Sequence, residues 1–244
     1  MRLFGLIGHP LGHSFSRQYF AEKFRAMGIA DKCRYDNYDL EQIELIKEVL
    51  AQNPALVGFN VTIPYKEQII PYLDAMTEEA MRIGAVNCVR CENGRLVGYN
   101  TDVYGAGVTI DRLCKGEPCK ALVLGSGGAS KGVREALRQR NIPYLLVSRQ
   151  KTPGTITYEE LSGDIMQSHT LIINTTPLGM YPKTEEAPAI PYEELTDKHR
   201  LFDLVYNPAE TLFMRRGREQ GAEAVCGGEM LKEQAEKSWE IWNI

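Results

Sequence analysis

No charge of one sign dominates this chain: 28 Lys and Arg stand against 32 Asp and Glu, a net charge of −4. Phosphate backbones are held by clustered cations, so a charge balance of this kind argues against nucleic acid as the main partner. Long apolar runs are absent as well. No stretch of the 244 residues nears the ~18 apolar residues of a membrane helix. The apolar segment from Leu3 to Gly8 is broken by His9-Pro10 before it is long enough for a signal peptide. The expectation is a soluble cytoplasmic protein without a membrane partner. Internal repeats and low-complexity tracts are missing too. With 43% hydrophobic and 25% charged residues, disorder, collagen-like repeats and coiled coil are excluded.

Cysteine is not scarce, and two of its spacings, Cys88-x-x-Cys91 and Cys114-x4-Cys119, are loosely those of metal ligands. However, Cys88 and Cys91 fall in a segment that reads as a β-hairpin around Asn93-Gly94. Residues three apart on a strand point to opposite faces. No metal is expected, and the six cysteines read as free thiols of a reducing compartment.

Strand and helix patterns alternate almost throughout, which implies an α/β protein with parallel sheets covered by helices. The apolar run from Leu3 to Gly8 precedes a helix in which Phe20, Phe24 and Met27 fall at i, i+4 and i+7, closed by Gly28. Asp39 and Gln42 have the spacing of a capping box, opening a helix with Ile43, Ile46, Val49 and Leu50 on one face. Ala55 to Ile63 is apolar and β-branched until Pro64 stops it, and a helix is expected over Asp102 to Leu113. A second series starts with the buried-strand signature Ala121-Leu122-Val123-Leu124, a helix to about Arg140, and strands at Tyr144 to Val147, Leu171 to Ile173 and Leu201 to Leu204. The domain boundary is placed near Asn100 to Asp102.

The second series opens on Gly125-Ser126-Gly127-Gly128-Ala129-Ser130, between an apolar strand and a helix. That is the context of a dinucleotide fingerprint, in which glycines permit a tight turn and close approach of the pyrophosphate to the helix N-terminus. A P-loop is excluded, because Lys131 follows Ser130 rather than a glycine. The next strand ends in Ser148-Arg149-Gln150-Lys151. An NAD site keeps an acid there to hold the ribose hydroxyls. Two cations and a hydroxyl suit a 2′-phosphate instead, so NADP is favoured. In the first half, His13-Ser14-Phe15-Ser16, Asn60-Val61-Thr62-Ile63-Pro64-Tyr65-Lys66, Gly84-Ala85-Val86-Asn87 and Gly98-Tyr99-Asn100-Thr101-Asp102 gather polar groups at the expected C-terminal edges of strands. Open α/β sheets bind ligands at those edges.

These segments, with Asn174-Thr175-Thr176-Pro177-Leu178-Gly179-Met180 and the tail Gly227-Gly228-Glu229-Met230-Leu231-Lys232-Glu233-Gln234-Ala235, resemble shikimate dehydrogenase, in order and over nearly the whole chain. The resemblance implies an open α/β substrate domain, residues 1–101 plus 228–244, and a Rossmann-type NADP-binding domain with a parallel sheet, residues 102–227. It implies reversible hydride transfer between NADPH and the ketone of 3-dehydroshikimate in aromatic amino-acid biosynthesis (the chorismate pathway). Lys66 and Asp102 would be catalytic, and Ser14, Ser16, Thr62, Asn87, Tyr206 and Gln234 would hold the substrate. Gly125, Ser126, Gly127, Gly128, Ala129, Arg149, Leu204 and Gly227 would contact the cofactor, with Ser148 and Lys151 beside them at the strand end.

A ketone under reduction gains negative charge on oxygen, so a cation within reach stabilises it and can supply the proton. Lys66 is therefore the expected acid/base and Asp102 its orienting partner. Arg17, Cys88 and the Ser148 to Lys151 segment depart from the family pattern, and the stretch between Lys151 and Met166 is short for the family. A quinate-accepting or NAD-using paralogue and a non-catalytic ligand-binding protein are the alternatives, the latter disfavoured by retention of Lys66 and Asp102. A monomer or homodimer is expected.

Overall fold

The apolar run at the start forms strand β1 (Arg2–Gly8), buried almost along its length, as a strand covered on both faces must be. The structure, a computed structural model, describes residues 1–12 and 15–244. The chain divides into two compact units, residues 1–101 with 235–244, and residues 102–234.

In the first unit β1 is followed by α1 (Phe15–Ala26), β2 (Cys33–Asp39), α2 (Ile46–Gln52), β3 (Leu56–Val61), β4 (Ala75–Met76), α3 (Glu78–Ile83), β5 (Cys88–Glu92) and β6 (Arg95–Tyr99). Its six strands lie in the order β2-β1-β3-β5-β6-β4. β2, β1 and β3 are parallel, β5 is antiparallel to both β3 and β6, and β4 pairs parallel with β6, so this sheet is mixed. The tight turn makes the β5–β6 pair antiparallel: Asn93 and Gly94 both take left-handed conformations, φ 51° and 76°. Two such residues make the hairpin connection that returns the chain antiparallel.

Asp39 does not form the expected capping box. It ends β2, and its carboxylate accepts from the backbone N–H of Leu11 at 2.9 Å and meets Nδ1 of His9 at 2.6 Å. The helix after it opens instead as a 3₁₀ turn, Ile43–Leu45, with no side-chain cap from Gln42. Its apolar face is nonetheless buried, with Ile43, Ile46 and Val49 packed beside Phe59 and Val61 on one side of the sheet. The other side is aromatic: Phe4, Phe20, Phe24, Tyr35 and Trp242 share a core.

In the second unit α4 (Asp102–Cys114) precedes β7 (Ala121–Leu124), α5 (Gly128–Gln139), β8 (Tyr144–Val147), β9 (Thr155–Ile156), α6 (Gly163–Ser168), β10 (Leu171–Asn174), β11 (Arg200–Asp203), α7 (Leu212–Glu219), β12 (Glu223–Val225) and α8 (Gly228–Ile241). All pairings are parallel, in the order β12-β11-β10-β7-β8-β9. This is the doubly wound order of the Rossmann fold, whose reversal lies between β10 and β7. The short stretch after Lys151 holds only the two residues of β9, a 3₁₀ turn and α6. The division between the units runs inside α8, at Gln234, rather than before it at Gly228.

Candidate active site

β3 delivers the chain at Val61 into consecutive turns, and backbone bonds fix where those turns lie. Thr62 N–H donates to the Ile7 carbonyl at 2.8 Å and Tyr65 N–H to the Thr62 carbonyl at 2.9 Å. The Tyr65 hydroxyl donates to the Leu40 carbonyl at 2.5 Å. The Lys66 carbonyl accepts from Val86 N–H at 2.7 Å, which ties this segment to Gly84 to Asn87. Thr62 and Lys66 are both half-buried at the end of the sheet.

Behind them lies a buried polar network. Asn60 Oδ1 accepts from the Tyr35 hydroxyl at 2.9 Å, and its Nδ2 donates to the Asn87 carbonyl at 3.2 Å and to Ser238 Oγ at 2.8 Å. Asn87 Oδ1 accepts from Thr101 N–H at 2.6 Å, and Ser238 Oγ lies 3.3 Å from Thr101 Oγ1. A network whose members satisfy one another in a low-dielectric interior specifies one geometry. Here it fixes Asn87 and, through Thr101, the backbone immediately before Asp102. Asp102 is nearly buried as the first residue of α4, where the helix dipole favours an acid.

Ser16 is buried in α1 beside the Tyr35 hydroxyl. Burial holds that phenol well above its ordinary range, only partly offset by its bond with Ser16. Ser14 lies outside the described residues. Sequence reasoning missed Tyr35 and the role of Ser238. Tyr35 sits on β2, whose polar sequence concealed it, and Ser238 is fully buried on α8 near Ala235 and Trp242.

In the second unit Gly125 has φ +100°, and a Cβ there would stand 2.8 Å from Thr176 Cγ2, so the position requires glycine. Gly127 caps α5 without any side-chain bond, and a Cβ on Gly127 or Gly128 would meet nothing within 4 Å. This open helix N-terminus fits a pyrophosphate, which backbone N–H groups and the helix dipole favour. Ser126 and Gly128 are exposed and Ala129 is half-buried, while Ser130 is fully buried, its hydroxyl donating to the Gly127 carbonyl at 2.7 Å.

At the end of β8, Ser148 N–H donates to the Ile156 carbonyl at 2.9 Å, and Arg149 is exposed. The positive charge of Arg149 reaches the Tyr158 phenol, which burial otherwise pushes up. Lys151 is engaged by the Glu160 carboxylate. Leu204 and Gly227 meet closely: Gly227 N–H donates to the Val205 carbonyl at 3.1 Å, and a Cβ on Gly227 would overlap the Leu204 carbonyl oxygen. Tyr206 is 41% exposed after β11, and Gln234 is buried at 7%, its Nε2 donating to the Leu231 carbonyl at 3.0 Å.

Asp203, at the end of β11, has no exposed surface. Burial pushes its carboxyl up to about 6, against bonds from the Thr211 hydroxyl, Val205 N–H and Asn174 Nδ2. A carboxyl with a folded pKa above its unfolded value favours the native state while protonated. That stability is full below the unfolded value and is lost as pH rises through about 6. The loss is on the order of 3 kcal/mol. Denaturant titrations from pH 4 to 7 should show this decline in the parent and not in Asp203→Asn; parallel curves would remove Asp203 as its source.

Among the described residues no group of three or more His, Cys, Asp or Glu could hold a metal, and no helix is long and apolar enough to cross a membrane. The shikimate dehydrogenase substrate binding domain matches residues 6–89. The shikimate dehydrogenase (NADP(+)) of Methanosphaera stadtmanae is 37% identical over 257 residues, covering 98% of this chain and 90% of the relative. The chain belongs to the shikimate dehydrogenase family. The family extends to structure: shikimate 5-dehydrogenase from Thermus thermophilus, in complex with NADP(H) and shikimate, matches with a TM-score of 0.86 at 30% identity, covering 99% of this chain and 93% of that one. Quinate dehydrogenase from Corynebacterium glutamicum, in complex with NAD, matches with a TM-score of 0.87 at 25% identity, covering 99% and 93%.

Proposed function

We propose that this chain is an NADP-dependent shikimate dehydrogenase, interconverting 3-dehydroshikimate and shikimate in aromatic amino-acid biosynthesis. The observation that carries the reading is similarity to NADP-dependent relatives over 98% of the chain, spanning both units. It acts in the cytoplasm as a monomer or homodimer, with these two small molecules as its partners.

When bound, NADPH supplies the hydride. Lys66 presents its ammonium to the ketone oxygen, stabilises the charge that gathers there and supplies the proton. Asp102 orients Lys66. Ser14, Ser16, Thr62, Asn87, Tyr206 and Gln234 hold the hydroxyls and carboxylate of the ring, a positioning task that suits fixed hydroxyls and amides. Gly125 to Ala129 receive the pyrophosphate, Leu204 and Gly227 flank the cofactor, and Ser148, Arg149 and Lys151 lie towards the 2′-phosphate.

A second reading is a paralogue that accepts quinate or uses NAD; use of NAD is favoured by the pairing of Lys151 with Glu160, which partly cancels the positive charge at the end of β8. Arg149 is then the cation on which NADP choice depends. Arg149→Ala should raise KM for NADP about tenfold to a hundredfold, the scale of a charge-assisted phosphate bond, with the NAD reaction nearly unchanged. Equal losses with both cofactors would remove Arg149 from the 2′-phosphate. Initial rates with shikimate and quinate, each with NADP and NAD, separate the readings: NADP with shikimate should be fastest, and a comparable or higher rate with NAD or with quinate would favour the second.

A further inference from the structure

Far from the glycine-rich turn in the same unit, the chain brings two thiols together. Cys114 is the last residue of α4, and Cys119 stands just before β7, so both lie at the opposite end of that strand from Gly125. Their sulfurs are 3.3 Å apart, within hydrogen-bond distance. The loop between them is braced. Lys115 and Gly116 reverse it with φ of 52° and 78°, Glu117 N–H donates to the Cys114 carbonyl at 2.8 Å, and Arg200 on β11 binds the Glu117 carboxylate.

The two sulfurs differ in access. Cys114 is buried and Cys119 is half-buried, and both line an open cavity of about 900 Å³ with Asp111, Lys120 and Arg140. The shared bond pulls Cys119 down to about 7, with Arg200 adding to the effect, while the same bond and burial raise Cys114. The accessible sulfur is thus the one with thiolate character near neutrality, the form that reacts. Cys88 and Cys91 are both pushed up by burial to about 12, which makes them poor competitors.

We propose that Cys114 and Cys119 form a dithiol modification site that hydrogen peroxide closes into an intrachain disulfide. The Cys119 thiolate attacks one peroxide oxygen, the O–O bond breaks, and hydroxide leaves a sulfenic acid behind. Cys114 gives its proton to that hydroxide, and its sulfur attacks the Cys119 sulfur. The S–S bond forms, the S–O bond breaks, and the departing hydroxide takes up the proton that Cys119 released to solvent on becoming a thiolate. Two thiols and one peroxide yield one disulfide and two waters; the sulfurs lose two electrons and the peroxide gains them. A dithiol reductant reverses the step by thiol–disulfide exchange. The disulfide ties the end of α4 to the start of β7.

The test exposes the full-length protein to hydrogen peroxide, denatures it and alkylates the remaining thiols. Mass spectrometry should show alkylatable cysteines falling from six to four, one linked peptide joining Cys114 to Cys119, and return to six after dithiothreitol. Cys119→Ser, a change at a half-buried position, should keep its remaining thiols through the same exposure. Retention of six thiols, oxidation of Cys119 without a link, prior reaction of Cys226, or a link between two chains would each overturn the proposal.

Discussion

Replacing Lys66 by alanine is expected to lower kcat for shikimate oxidation by about 10²- to 10⁴-fold, the usual scale for loss of a general acid/base. The backbone of this segment is held independently of the lysine side chain, through Thr62 to Ile7, Tyr65 to Leu40 and Val86 to the Lys66 carbonyl. Those bonds survive the substitution, so the loss belongs to chemistry rather than to folding. The KM for shikimate should change far less. Steady-state rates at saturating NADP measure both quantities. A near-normal kcat would remove Lys66 from the reaction.

The largest expected effect on stability is at the other end of the chain. Trp242 is 2% exposed in the aromatic core of the first unit, with ring centroids 5.1 Å from Phe4 and 5.4 Å from Phe20. Its Nε1 donates to the Val89 carbonyl at 3.0 Å, and Gly58 leaves the space its ring fills, since a Cβ there would overlap the indole. Trp242→Ala removes packing and hydrogen bond together and should cost about 3–5 kcal/mol. In a chain of this size that lowers Tm by on the order of 10 °C. A thermal scan showing a shift of only a degree or two would place the chain terminus outside the core of that unit.

The parts legible in the sequence were those where one physical constraint acts alone. Buried parallel strands such as Ala121 to Leu124 must be continuously apolar, and Asn93-Gly94 specifies its own turn. The alternation of elements in the second half then led to the observed parallel sheet. Strand β2 was illegible because Cys33-Arg34-Tyr35-Asp36-Asn37-Tyr38-Asp39 forms a sheet edge, where polar residues face solvent and the apolar alternation fades. With β2 unseen, Asp39 read as a helix cap, when its partners His9 and Leu11 lie some thirty residues earlier.

The candidate site followed the same division. Its residues cluster at strand ends, which sequence can place, but their partners come from distant segments. Nothing local announces that Asn60 bonds Ser238, 178 positions away. Nor does Ser148 to Lys151 show that Glu160 engages one of its two cations. Gln234 was marked by the tail motif alone, and only packing decides for its burial.

Oxidation of shikimate with NADP is read directly as absorbance at 340 nm after the purified protein is mixed with the two. Absorbance should rise steadily, about 10²- to 10⁴-fold more slowly with Lys66→Ala, and it should fall when the protein is given 3-dehydroshikimate and NADPH instead. No rise with NADP, from folded protein at any shikimate concentration, would contradict the proposed function.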